Sequence, residues 1–365
     1  MKQNYFLRSL FILLLFTAFT SCNDDEGYTP VPEPPVQVSP VDVNLANVPY
    51  PTLSQYKFFT GDMKNMEPAY KVIPYDLNST LFTDYAHKKR FVWMPANTSA
   101  TYNGDANVLD FPNGTVLIKN FYYDNVQPEN TRKIIETRLM IMKNGEWIFA
   151  NYLWNDAQTE ATLDMAGKNI ELAWIENGVP MNTTYRIPSG NECFTCHKSD
   201  EVPSAIGPKP QNLNKSYTYS NGSANQLSRW IQEGYLNTAP QNITSTIDWT
   251  DTSKSLDMRV RSYLDINCAH CHKEGAHCDY RPIRLAFNET TDPVNLGVCV
   301  EFQQPVGQGQ SHIIARGVYQ RSMMYYRMNS VEDNERMPLM GRSVKHTEAL
   351  QMMQQWISGL GEPCP

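Results

Sequence analysis

Residues 134–154, IIETRLMIMKNGEWIFANYLW, decide how the first half of the chain is read. Two runs rich in β-branched and aromatic residues, Ile134 to Met142 and Trp147 to Trp154, flank Lys143-Asn144-Gly145-Glu146. An Asn-Gly step between such runs is the strongest short-range hairpin signal. The pattern repeats nearby. Val116 to Tyr123 is β-branched and aromatic, and Ile170 to Ile175 and Thr183 to Ile187 flank a second turn at Asn177-Gly178. Strands at this spacing predict a sandwich or a strongly twisted sheet over residues 46–190. This stretch carries no carboxylate pair, Gly-rich phosphate loop or nucleophile–base pattern, and His87 reads as a solvated side chain.

From residue 191 onward the pattern changes to helices and loops. Gln226 to Ile231 reads as a short helix ending at Gly234. Leu256 to Ile266 reads as a helix running into a Cys-rich segment. Glu348 to Leu360 puts Leu350, Met353, Trp356 and Ile357 on one face and stops at Gly361.

The chain has 365 residues, 41% hydrophobic and 19% charged, with a net charge of −7. The first 21 residues read as a signal peptide: Lys2 and Arg8 precede the apolar run Leu10 to Phe16, which is too short to span a bilayer. Removing them leaves 29 basic against 38 acidic residues, or −9. That balance argues against a nucleic-acid partner. Ser21-Cys22 directly after the apolar run resembles a bacterial lipobox, which makes Cys22 the lipidated first residue of the mature chain. Asn23-Asp24-Asp25-Glu26 and the Pro-rich residues 27–45 read as an acidic tether and stiff linker. Residues 22–45 thus hold the body off a membrane.

Two segments carry the chemistry: Cys193-Phe194-Thr195-Cys196-His197 and Cys268-Ala269-His270-Cys271-His272. Two thiols separated by two residues on a helical turn reach the two vinyl groups of a porphyrin. The following His is then aimed at the iron. Each segment predicts one covalent haem c, bound through Cys193 and Cys196 with His197 as iron ligand, and through Cys268 and Cys271 with His272. A zinc site needs four ligands, whereas these segments supply six. A thioredoxin-like pair needs a βαβ context that is missing from the sequence pattern.

Met337, in Arg336-Met337-Pro338-Leu339-Met340-Gly341, follows His272 by 65 residues. A soft thioether on a Pro-fixed loop is the expected distal ligand of the second iron, with Met340 its nearest rival. The distal ligand of the first iron is not visible. Met258 is the one Met between His197 and Cys268, inside a predicted helix. His270, His277, His312 and His346 read as structural or solvated. Cys278, Cys299 and Cys364 remain. Cys278–Cys299 is the nearest pair, and Cys364 can replace either partner.

Pro74 to Tyr85, Tyr185 to Glu192 leading into the first motif, and Leu264 to Asn267 leading into the second resemble a family of bacterial di-haem c-type cytochromes, over roughly residues 45–360. Ile313-Ile314 to Arg336-Met337-Pro338 resembles the planctomycete-type cytochrome c segment. Gly207-Pro208 resembles the step that packs against the proximal His in class I cytochromes c. The expected fold is α+β: a β-rich, sandwich-like domain (46–190), then a mainly α-helical cytochrome c-like region with two haem sites (191–267 and 268–365). The resemblance implies electron transfer and no substrate. The expectation is an electron carrier on the cell envelope, an outer-membrane lipoprotein meeting redox partner proteins. The rivals are a di-haem peroxidase or the electron-accepting subunit of an exported oxidoreductase. A third reading makes the β-rich domain a binding module.

Overall fold

The computed structural model describes residues 37–365, so the expected signal peptide, Cys22 and most of the tether lie outside the described residues. The two Asn-Gly steps make the hairpins. Asn144 and Gly145 have φ of 55° and 83°, and Asn177 and Gly178 have 49° and 83°. That left-handed pair matches the twist of the strands it joins. The central sheet contains β1 (Ile73–Tyr75), β2 (His87–Trp93), β3 (Val116–Val126), β4 (Thr131–Lys143), β5 (Glu146–Trp154) and β6 (Ala161–Leu163), antiparallel in that order. The hairpin β7 (Lys168–Glu176) and β8 (Val179–Ile187) joins through Val126 and Trp174 at the far end of β3.

Both faces of this sheet are covered, so its strands read as continuous apolar runs. On one face Phe91, Val116, Ile118, Leu139, Ile141 and Tyr152 pack against an irregular layer that includes Leu53, Tyr56, Phe58 and Met66. On the other, Val92, Leu117 and Trp147 pack against Leu213, Trp230 and Ile266 from the second half of the chain. From Ser39 to Pro365 the chain is one compact unit.

The expectation of a sandwich-like domain followed by a mainly helical cytochrome c-like region is overturned. Among the described residues the protein is mostly strands in antiparallel sheets, with 18% helix. The first half is one eight-stranded sheet. The second half holds six short α-helices among the described residues: α1 (Gly190–Cys196), α2 (Pro210–Leu213), α3 (Gln226–Gln232), α4 (Leu256–Asn267), α5 (Met323–Asn329) and α6 (Thr347–Ser358). The three periodic segments are α3, α4 and α6. Turns and bends fill most of the stretch between Cys268 and Ile314, which has no helical repeat of apolar residues. No helix among the described residues is long and apolar enough to cross a membrane.

The layers are stitched by the segments on which the resemblance rests. Buried Asp265 of α4 accepts hydrogen bonds from Gln211 Nε2 at 3.1 Å, Lys209 Nζ at 3.2 Å and the Phe287 amide at 3.0 Å. Asn267 Oδ1 accepts from the Phe82 amide at 2.8 Å. Asn78 donates to the carbonyls of Gln211 and Thr246 at 2.9 and 2.8 Å. Leaving any of these groups unpaired in the interior costs about 1–3 kcal/mol.

Candidate functional site

Helix α1 is short and set by its cap. Ser189 accepts from the Glu192 amide, and Glu192 reaches back to the Ser189 amide at 2.6 Å. Arg186 holds the same carboxylate at 2.8 Å. This single capped turn presents Cys193, Cys196 and His197. The second motif begins where α4 ends. In both motifs the amide of the His donates to the carbonyl of the first Cys: His197 to Cys193 at 2.9 Å and His272 to Cys268 at 3.0 Å. Thus the same five-residue helical turn is built twice, once before a β-bridge and once after a long helix.

The His197 ring donates from Nδ1 to the Ser204 carbonyl at 3.0 Å, which leaves Nε2 with its lone pair free. Burial lowers His197 to about 4, so the ring is neutral at pH 7 and can ligate. Burial also lowers His272 to about 4. The His272 Nδ1 is buried with no partner among the described residues. The hydrogen-bond partner of the His197 ring is Ser204, and the Pro208 carbonyl accepts from the Leu109 amide at 3.2 Å. Gly207 permits close packing, since a Cβ there would lie 2.8 Å from Leu77 Cδ1.

Two large clefts open at the motifs. One, of about 740 Å³, is lined by Cys268 and His272 together with Met337, against Ile283, Leu285 and Met328. The other, of about 1250 Å³, lies between the motif Cys193–His197 and the face of the central sheet. Its sheet wall is two cross-strand rows, Lys119–Arg138–Asn151 and Leu117–Met140–Phe149. The Phe149 ring lies 5.5 Å from that of His197. Both side-chain polar atoms of buried Asn151 lack a partner. Three basic side chains converge on the Phe121 ring, Lys88 Nζ and Lys119 Nζ at 6.0 and 4.8 Å and the Arg138 guanidinium at 4.4 Å, and burial pushes both lysines well below their usual range. Arg138 is also paired with Glu136 at 3.0 Å.

A smaller cavity between the two clefts is lined by Cys196, His270, Cys271, His272, Met337 and Met340. There the ligand atoms of Cys196, His270 and Cys271 all lie within 4.8 Å of one another. A hydrogen bond from Cys271 holds the Cys196 thiol well below the usual range and pushes Cys271 up. Burial raises Cys268 to about 12.

The structure therefore brings His272 and Met337 to one cleft, gathers Cys193, Cys196 and His197 at another, and joins the two at Cys196 and Cys271. Of the three remaining cysteines it pairs Cys299 with Cys364 and leaves Cys278 free and buried. Sequence reasoning missed Asp84 and Arg342, which fix the Met337 loop. Asp84 sits within the quoted Pro74–Tyr85 segment, but nothing local marks either residue as an anchor.

The donor set suits haem c: paired thiols for thioether attachment to the porphyrin, and neutral imidazoles and a thioether as ligands for iron. Comparison with protein-family models, curated proteins and solved structures finds no significant match.

Proposed function

We propose that this chain is an envelope-anchored di-haem c-type cytochrome that transfers electrons between redox proteins of the cell envelope. The observation that carries the reading is the repeated turn, in which His and first Cys share one hydrogen bond and face a cleft in both motifs. Bound haem iron would supply one-electron redox chemistry. Cys193, Cys196, Cys268 and Cys271 would hold the two macrocycles by thioether bonds. His197 and His272 would ligate through neutral rings, with His197 oriented by Ser204. Met337 would offer a neutral sulfur to the second iron, which favours the reduced state and raises the potential. Ile283, Leu285 and Met328 would keep water from that iron.

The test is haem content. A pyridine haemochrome assay on the protein expressed with its maturation system should give two haems per chain, still attached after denaturation. Cys193→Ala should remove one and spare the other. Zero haem, with metal held by the cluster of Cys196, His270 and Cys271, would replace this reading by a metal site. Lipidation belongs to the same proposal: Cys22→Ala should release the protein from the membrane fraction, and continued retention would count against the anchor.

A second reading draws on the polar wall of the first cleft. Lys119, Arg138 and unpartnered Asn151 line the space beside the first motif and would hydrogen-bond a small polar substrate such as peroxide, as in a di-haem peroxidase. Rapid oxidation of the reduced protein by peroxide, with turnover, would favour it.

A further inference from the structure

We propose that Met340 supplies the sixth ligand of the first haem iron, so that the single loop Met337-Pro338-Leu339-Met340 ligates both irons. This rests on the di-haem reading and completes its ligand set.

The two methionines, three residues apart, share the cavity between the motifs, but each also lines a cleft that the other does not reach. Met337 lines the cleft of Cys268 and His272, and Met340 lines the cleft of Cys193, Cys196 and His197. Pro338 lines the first motif's cleft and the cavity between, so the loop runs along the boundary. The ordinary role of a methionine is to fill core space. Met94, Met142, Met328, Met352 and Met353 do so within the apolar clusters, whereas neither Met337 nor Met340 packs into any of them. Both are half-buried and line open space instead.

A thioether is a weak donor and ligates reliably only where the backbone holds it in place. This backbone is held on both sides. The Met337 amide donates to Arg327 O at 3.0 Å, and Met337 O accepts from Arg342 Nε at 3.0 Å. Leu339 O accepts from Arg336 Nε at 3.3 Å. Beyond Met340, Asp84 Oδ1 accepts from the amides of Ser343 and Val344 at 2.6 and 3.0 Å.

The other donors in the first cleft are committed elsewhere. Met140 packs on the apolar cluster between the sheet and the second half of the chain. Lys119 Nζ lies over Phe121, one row away from the Phe149 ring on which His197 packs. His270 lies against the sulfurs of Cys196 and Cys271. Those sulfurs attach at porphyrin edges, so His270 belongs at an edge and not over an iron.

The test uses the weak near-red charge-transfer band of thioether-ligated ferric haem, read per chain after haem content has been measured. Met340→Leu and Met337→Leu should each halve the band with two haems still attached, and the double variant should abolish it. If Met340→Leu impairs folding, Met340→His keeps a strong ligand in place and should halve the band while lowering the potential of one haem only. A band unchanged by either Met340 variant overturns the assignment. So does a halving produced by Met140→Leu while Met340→Leu has no effect. Fewer than two haems in the unsubstituted protein would instead strike the di-haem reading itself.

Discussion

The sulfurs of Cys196 and Cys271 lie within 4.8 Å of each other, although the residues belong to different motifs and stand 75 positions apart in the chain. Cys271 also reaches the Thr195 carbonyl at 3.8 Å, so the second motif touches the first along its backbone as well. Haems attached through these two sulfurs would have adjacent edges, and a change of charge on one would act on the other through surroundings that screen it less than water does.

The first prediction follows from that contact. With haem attached at both motifs, the oxidation state of one site should be felt at the other. In electron paramagnetic resonance, the half-reduced protein should give lines displaced or reshaped relative to the fully oxidised protein. A half-reduced spectrum that is a simple subset of the oxidised one would show two independent sites and would contradict the prediction.

Arg342 should be the most costly residue of the ligand loop to replace. It is 5% exposed and donates to the carbonyls of Met337, Arg327, Ser330 and Val344 at 3.0, 3.0, 2.8 and 3.3 Å. Arg342→Met keeps the length of the side chain and strands four carbonyls, at a cost on the order of 3 kcal/mol. Denaturant titration should show a lower midpoint at unchanged slope. A change below about 1 kcal/mol would mean that Asp84 alone suffices to hold the loop.

His346 should make stability fall with acid. Its ring stacks on Phe82 at 3.9 Å, shares a hydrogen bond with Tyr263 at 3.0 Å, and is lowered by burial from 6.5 to about 3. Lys88 and Arg342 push in the same direction. The folded state favours the neutral ring. Its contribution is therefore complete above about pH 6.5 and is lost as pH falls towards 3, with a limiting slope of about 1.4 kcal/mol per pH unit. His346→Phe should flatten the profile between pH 6 and 4 relative to the unsubstituted protein. The difference between the two profiles isolates this residue from His197 and His272. Parallel profiles would disprove the coupling.

The Cys299–Cys364 bond closes a loop of 65 residues and ties the C-terminus beneath Ile314, whose carbonyl lies 3.9 Å from the Cys364 sulfur. Cys364→Ser should cost roughly 2–4 kcal/mol. Among residues 37–365 of the haem-loaded protein, alkylation without reductant should label Cys278 alone, and only after denaturation, because it is 4% exposed in the fold. Labelling of Cys299 or Cys364 under those conditions would refute the pairing.

The strands and three of the helices were legible because each signal is local. Asn144-Gly145 and Asn177-Gly178 need only their own backbone angles to turn the chain, and α4 and α6 need only their own apolar stripes. The error lay in extending helix across the whole second half. The segment between Cys268 and Ile314 has no apolar helical repeat, and its buried residues Ile283, Leu285, Leu296 and Val298 pack against α4 and α6 without forming a helix of their own.

By itself the sequence determined the two Cys-x-x-Cys-His turns and the hairpins, since these are set within five or six contiguous residues. Only the tertiary structure decided that Cys196 meets Cys271, that Met337 and Met340 face different clefts, and that Cys299 pairs with Cys364. Those relations join positions 65 or more residues apart. They depend on how the second half of the chain packs on the sheet face of Leu117 and Trp147, through groups such as Asp265 and Arg342 that carry no local signature.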